Sequence, residues 1–222
     1  MPMNTFQLML NQQPFSAPLG KLVCVGRNYA AHAAELNNPI PDQPLLFMKP
    51  ATSAADLTKP VNLTGQTYPV HYETEIALLV GQPLTQASPE EAISAIAGVG
   101  LALDLTLRAL QSELKAKGYP WERAKAWDGA CPLSGFVSAD QVHDWSNLRL
   151  GLKINGEMRQ VGSASEMLMP IPNLLAHISQ TFTLLPGDVV LTGTPEGVGV
   201  LHSGDQLYLE LNDFISIRTE VV

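Results

Sequence analysis

The chain has 222 residues, 45% of them hydrophobic, and a net charge of −8, which gives it enough apolar material for a large core and excludes intrinsic disorder. An acidic balance without a long Lys/Arg cluster excludes nucleic-acid binding as the main task, because that affinity comes from neutralising phosphates. No apolar run approaches the roughly 20 residues that cross a bilayer, and the first twenty residues hold no Lys or Arg for a signal or transit peptide.

The expectation is one cytoplasmic domain over residues 1–222 with a small-molecule substrate and neither nucleic-acid nor membrane partners. Charged residues are 15% of the chain, against about 25% in typical soluble proteins. That deficit suits a homo-oligomer better than a solitary globule. Cys24 and Cys131 form no C-x-x-C pair, so two reduced, buried thiols are expected rather than a redox dithiol or a zinc site.

In chain order, KLVCVG (21–26) reads as a buried strand, and NYAAHAAEL (28–36) as a helix stopped by Asn37, Asn38 and Pro39. LLFMKP (45–50) reads as a short strand among proline-rich loops. VHYETEIALLVG (70–81) alternates and then turns wholly apolar, as a strand does when its first half reaches a cavity and its second half enters the core. Ser88-Pro89-Glu90-Glu91 opens a helix that Gly98 is expected to close. Residues 98–118 run from a strand into an amphipathic helix, with Asp104 at the junction.

Asn155-Gly156 between LRLGLKI and EMRQVG predicts a type I′ hairpin. A helix is predicted around 172–182, then strands at VVLTG (189–193), QLYLEL and FISIRTEVV. Strands outnumber helices without alternating regularly with them. The expected class is therefore α+β on a rolled or sandwiched sheet, not a doubly wound parallel one.

Glu73 and Glu75 are two apart on a predicted strand, so their carboxylates share a face, as two solvated strand residues also would. Asp104 is a lone acid in the apolar stretch GVGLALDLTL, where an ionised carboxylate needs a strong partner. Alone, it equally fits the N-cap of a helix over 105–117. If the three acids converge, each pair at about 4 Å repels by about 4 kcal/mol at an effective dielectric of 20, so a cation must sit among them. Three hard oxygen donors without His or thiolate suit Mg²⁺ or Mn²⁺ and leave positions open for a chelating α-keto acid.

His32 and Glu35 stand at i and i+3 on the predicted helix, so the carboxylate can orient one imidazole nitrogen and leave the other as a base. The same spacing also describes an ordinary surface pair. Lys125 is a candidate cation beside the metal. LTGTPEGVG (191–199) ends a strand in a turn able to clasp a carboxylate, but it is not a P-loop and no G-x-G-x-x-G is complete, so nucleotide cofactors have no support. No G-x-S-x-G setting supports a serine nucleophile. His71, His143, His177 and His202 lack metal-like spacing.

VGRNYAAHAAE (25–35), HYETEIALLVG (71–81), LDLTLRALQ (103–111), LKINGEMRQ (152–160) and LTGTPEGVG (191–199), in this order, resemble the fumarylacetoacetate hydrolase family. The likeness is to its small single-domain branch of acylpyruvases and oxaloacetate-acting members. It implies a mixed β-roll fold, a homodimer, and Mg²⁺ or Mn²⁺ on Glu73, Glu75 and Asp104. It also implies that His32 and Glu35 form a water-activating or proton-moving dyad on a lid, with Lys125 nearby. Arg27, Arg108, Gln111, Thr194 and Lys49 are then candidates for holding substrate carboxylates and carbonyls.

Two details depart from the family pattern. Where relatives commonly read V-T-A-R-D-x-Q, this chain has Ala109 in place of the acid beside the arginine, and Ala126-Trp127 follows Lys125. Both are expected to alter substrate selection or the pocket wall. The resemblance implies hydrolysis of 2,4-dioxo acids through a stabilised enolate as the leading activity. Oxaloacetate tautomerisation or decarboxylation is the alternative, and a non-catalytic metal-containing binding protein is the contrasting reading.

Overall fold

The computed structural model describes residues 6–222, so the first five residues of the twenty tested for a leader lie outside it. Its largest sheet runs in the order Leu45–Lys49, Leu22–Gly26, Val189–Leu191, Thr74–Val80, Ile96–Leu103, Cys131–Leu133 and Ala54–Asp56. Val189–Leu191 lies parallel to Leu22–Gly26, and Cys131–Leu133 parallel to Ala54–Asp56, while the other neighbours are antiparallel. A second, antiparallel sheet takes Glu157–Ser163, Arg149–Ile154, Gln206–Leu211 and Ile215–Glu220.

The core lies on both faces of the large sheet. Ile76, Leu78 and Val80 share one apolar cluster with Leu152 and Leu209 of the second sheet. Ala77 and Leu79, on the opposite face, pack with Leu22, Cys24, Cys131 and Leu191. A strand buried on both sides has no solvent face to keep polar, which is why alternation gives way to Ala-Leu-Leu-Val there. The fold is α+β, as expected.

The helices are short: α1 (Ala30–Glu35), α2 (Pro89–Ser94), α3 (Arg108–Ala116), α4 (Glu122–Lys125) and α5 (Ile171–Thr181). A reciprocal Ser88–Glu91 capping box opens α2, which packs on α5. The helix stops at Ala95, before Gly98, which instead lies in Ile96–Leu103. A Cβ on Gly98 would stand 2.6 Å from the Val137 carbonyl, so close approach of chains, rather than helix termination, is what needs glycine there. Asn155 (φ 53°) and Gly156 (φ 85°) make the expected hairpin turn.

The expected continuous strand over 70–81 is two strands, Val70–Tyr72 and Thr74–Val80. Tyr72 pairs with Gly199 in a small third sheet, whereas Thr74 pairs with Leu103 in the large one, so the chain changes sheets at Glu73. The neighbouring chain changes at the same level. Ile96–Leu103 ends before Asp104, and Thr106–Leu107 joins the small sheet beside Val70–Tyr72. The Asp104 N–H donates to the Glu73 carbonyl at 2.8 Å, which locks the two breaks together. Asp104 is therefore not a helix N-cap, since α3 begins four residues later with Leu107 in that position.

Candidate active site

The paired breaks gather the acids. Ligand oxygens of Glu73, Glu75 and Asp104 lie within 4.8 Å of one another, and all three residues are buried. The Lys125 ammonium, at the end of α4, bonds Glu73 Oε2 at 2.9 Å, Asp104 Oδ2 at 2.6 Å and Thr106 Oγ1 at 2.7 Å. Arg108, opening α3, pairs with Glu73 Oε1. Burial pushes the Glu73 carboxyl up, but Lys125 and Arg108 more than offset that and hold it below the usual carboxylate range. Burial pulls the Lys125 ammonium down, and Asp104 and Glu73 then carry it above the usual lysine value.

Glu75 is different. Gly193 N–H donates to its Oε2 at 2.7 Å, and it has no salt bridge among the described residues. Burial, with Asp104 and Glu73 beside it, pushes its carboxyl well above the usual range. Lys49 Nζ lies 2.8 Å from Asp104 Oδ1, yet outside hydrogen-bond geometry, so the pair attracts as charges while that oxygen has no hydrogen-bond partner. A third acid without a salt bridge, beside a carboxylate oxygen that takes no hydrogen bond among the described residues, fits a divalent cation held by oxygen donors.

The lid candidate and the 191–199 turn meet at this site. His32 is buried in α1, with Nδ1 3.4 Å from Glu35 Oε2, while Glu35 Oε1 accepts the Gly197 N–H at 3.0 Å. Asn28 fixes the entry to α1: its Nδ2 donates to the Thr192 and Met169 carbonyls at 2.9 and 3.1 Å, and its Oδ1 accepts from Met169 N–H at 2.8 Å. Gly193 sits at φ +93°, and a Cβ there would stand 2.8 Å from the Asn28 Cβ. Only glycine lets this turn pass Asn28 and still aim its N–H at Glu75.

One cavity is lined by Arg27, His32, Glu73, Glu75, Asp104, Arg108, Gln111, Lys125 and Thr194, so it brings together all but two of the sequence-derived site residues. Glu35 stands behind His32. Lys49 lies beneath the floor, fully buried, its ammonium donating to the carbonyls of Lys125, Ala130 and Leu105. That placement leaves it away from the substrate contacts expected for it. Thr194 lines the cavity, but its hydroxyl donates to the Thr74 carbonyl at 2.9 Å and accepts from Gln160 at 2.8 Å. Gln111 accepts from Arg108 at 3.3 Å.

The departures from the family pattern fall outside the wall. Ala109 is exposed on α3, and Glu73 and Gln111 orient Arg108 instead. Trp127 is absent from the lining and lies near Lys49, 5.8 Å from its ammonium. Sequence reading missed Phe47, Lys115 and Trp121, which line the cavity, and Gln160, which joins Thr74 to the 194–195 turn. Lys115 was findable, since 108, 111 and 115 share one face of α3. Gln160 gave no signal beyond its place in a hairpin strand.

A mixed sheet roll with this acid cluster at its seam defines a class. The profile of the fumarylacetoacetate (FAA) hydrolase C-terminal family matches residues 21–222, and the chain belongs to that family. It is 48% identical to oxaloacetate tautomerase YcgM of Escherichia coli (strain K12) over 206 residues, covering 92% of this chain and 94% of that protein. It is 38% identical over 200 residues to the human mitochondrial oxaloacetate tautomerase FAHD1, covering 90% of each. Among solved structures, one from Oleispira antarctica superposes with a TM-score of 0.95 at 51% identity, covering 98% of this chain and 100% of that one. The fumarylpyruvate hydrolase of Pseudomonas aeruginosa in complex with Mn²⁺ and pyruvate superposes with a TM-score of 0.92 at 32% identity, covering 100% and 97%. These named relatives are enzymes, and no helix among the described residues is long and apolar enough to cross a membrane.

Proposed function

We propose that this chain interconverts the keto and enol forms of oxaloacetate with a divalent cation, Mg²⁺ or Mn²⁺, held by Glu73, Glu75 and Asp104. The carrying observation is the buried acid triad in which Glu75 lacks a counter-charge, and the 48% identity to a tautomerase supports the choice of reaction. When bound, the cation supplies Lewis-acid polarisation of the 2-oxo group. Arg108, Gln111 and Lys125 hold the head carboxylate and 2-oxo oxygen, Thr194 shapes the wall beside them, and Lys49 supports the floor through Asp104. Arg27 faces the cavity farther from the acids' own ion pairs.

Enolisation moves one proton from C3 to the C2 oxygen, and ketonisation moves it back. His32 carries it: Glu35 orients Nδ1, and Nε2 is left for the substrate. Lys125 stabilises the negative charge that grows on the oxygen as the C3 proton leaves. The enzyme is proposed to work as a cytoplasmic homodimer, which light scattering on the purified protein tests for assembly.

Hydrolysis of 2,4-dioxo acids, the activity that sequence reading puts first, is the second reading. It is favoured by an apolar cavity of about 250 Å³ that shares Leu45, Phe47, Trp121 and Lys125 with the first and offers room for an acyl tail. Ultraviolet absorbance of the enol separates the readings. Freshly dissolved enol-oxaloacetate and an acylpyruvate are each mixed with protein, with and without EDTA, while pyruvate is assayed in parallel. Metal-dependent loss of the oxaloacetate enol without pyruvate release supports tautomerisation. Pyruvate from the acylpyruvate supports hydrolysis, pyruvate from oxaloacetate supports decarboxylation, and no metal-dependent change leaves a binding protein.

A further inference from the structure

Cations outnumber their partners on the outer wall of the cavity. Lys115 belongs to the face of α3 that carries Arg108 and Gln111, two turns farther along, and helical side chains lean toward the N-terminus, here toward Arg108. Lys115 has no acidic partner among the described residues, and its ammonium sits 4.5 Å from the centre of the Trp121 ring. Arg27 lines the same cavity and, among the described residues, bonds only neutral oxygens: Asn38 Oδ1 at 2.8 Å and the Pro39 carbonyl at 3.3 Å. It is also held at φ +60°, a conformation that costs a residue with a Cβ about 1 kcal/mol or more and aims this one into the cavity wall.

Arg108 and Lys125 are already matched by Glu73 and Asp104. Among the described residues, no acid pairs with Lys115 or Arg27. Partial burial and the repulsion of Arg27 and Arg108 bring the Lys115 ammonium down to about 8. Unrelieved positive charge on a substrate-facing wall is complementary to an anion supplied by the substrate.

We propose that Lys115 and Arg27 form a second anion seat that binds the distal carboxylate of a dianionic 2-oxo acid, with Lys115 as the residue that selects such substrates over those with an uncharged tail. The inference rests on the reading of the acid triad as the seat of the 2-oxo head. The Trp121 ring positions the ammonium from one side and leaves its N–H groups able to donate to the carboxylate. Lys115 touches the substrate's far end and takes no part in moving the proton.

Calorimetric titration in Mg²⁺ with 2-oxoglutarate and with 2-oxovalerate, which has the same carbon chain without the distal carboxylate, tests this directly. The parent protein binds the dianion roughly tenfold or more tightly than the monoanion. Lys115→Met removes that preference, leaves 2-oxovalerate binding within about twofold, and lowers kcat/KM for enol-oxaloacetate by roughly tenfold, whereas Lys115→Arg restores the preference. An equal loss for both ligands, a preference that survives Lys115→Met, or a parent protein that binds both ligands equally overturns the second seat while leaving the head site standing. Failure of the parent protein to bind either acid overturns the reading of the head site along with it. Because Lys115 is exposed, the fold of the Met variant is checked by an unchanged thermal transition.

Discussion

Glu35 and Gly197 meet across 162 residues of sequence, the carboxylate Oε1 accepting the glycine N–H at 3.0 Å. The other oxygen faces His32, so one side chain ties the six-residue α1 to the 191–199 turn and orients the candidate base. A helix this short has little stability of its own, and its position depends on such tethers.

His32→Ala is expected to lower kcat by about 10²–10⁴-fold, the range for a lost general base, while leaving divalent-ion affinity unchanged. Glu35→Gln retains an acceptor for Gly197 but weakens the contact that orients the imidazole, so a smaller loss of kcat is expected. Steady-state kinetics beside metal titration separates these outcomes. A His32→Ala enzyme with full activity would remove His32 from the mechanism.

Glu73 and Glu75 are both buried acids two residues apart, and they are expected to behave oppositely without metal. Glu73 is the counter-charge for Lys125 and Arg108. Glu73→Gln strands those cations and should cost about 3–5 kcal/mol, the range for breaking a buried pair, or roughly 10 °C in Tm for a chain of this size. Glu75→Gln replaces a carboxyl whose charged form is disfavoured by burial and its acidic neighbours, so metal-free Tm should fall little or rise. Both variants lose the Tm increase that the ion gives the parent protein. Thermal scans in EDTA with Glu75→Gln melting below Glu73→Gln would contradict this division of roles.

The same contrast sets the pH dependence. Glu75 has its folded pKa raised, so above the unfolded value of about 4.3 the folded state keeps a proton that the unfolded chain loses, and its contribution weakens as pH rises toward the folded pKa. Glu73 has its folded pKa lowered, so its contribution is in place above about 4.3 and is lost as pH falls below that. A divalent ion competes with the Glu75 proton. Its affinity should therefore be greater at the higher of two pH values and be accompanied by proton release, visible in calorimetry repeated in two buffers of different ionisation enthalpy. Equal affinity at both pH values without proton release would show that Glu75 is ionised before the ion arrives.

Much of this site was legible as residue types and little of it as geometry. Period-2 spacing correctly put Glu73 and Glu75 near a common point, but for an incomplete reason, because the chain leaves one sheet for another at Glu73. That switch depends on Gly199 and Leu107 pairing with the Val70–Tyr72 strand, contacts far away in sequence that no local pattern announces. Asp104 stood out because a lone acid in an apolar run is costly, yet its partner backbone, Glu73, is visible only once both strands break together. Lys49 lies under the cavity rather than in its lining, and nothing in LLFMKP tells a cavity lysine from one that caps three buried carbonyls. Four of the five helices are legible in caps and composition, α4 has no such signal, and the end of α2 is misplaced because Gly98 serves strand packing.

Gly193 gives the most local test of how the turn serves the acids. Gly193→Ala must hold φ near +93° with a Cβ that would stand 2.8 Å from the Asn28 Cβ. Gly156, at φ +85° in the hairpin turn, has open space around its missing Cβ. Both substitutions carry the positive-φ penalty of about 1–2 kcal/mol, but only Gly193→Ala must also displace Asn28, whose amide fixes the start of α1. Displacement would carry the Gly193 N–H away from Glu75 Oε2, now at 2.7 Å. Gly156→Ala is therefore expected to lower Tm by a few degrees with activity and metal affinity intact. Gly193→Ala should lose more stability and, in addition, at least about tenfold in metal affinity, as for loss of a group that orients a ligand. Equal Tm losses with metal affinity preserved in both variants would show that the turn supports the fold without shaping the acid site.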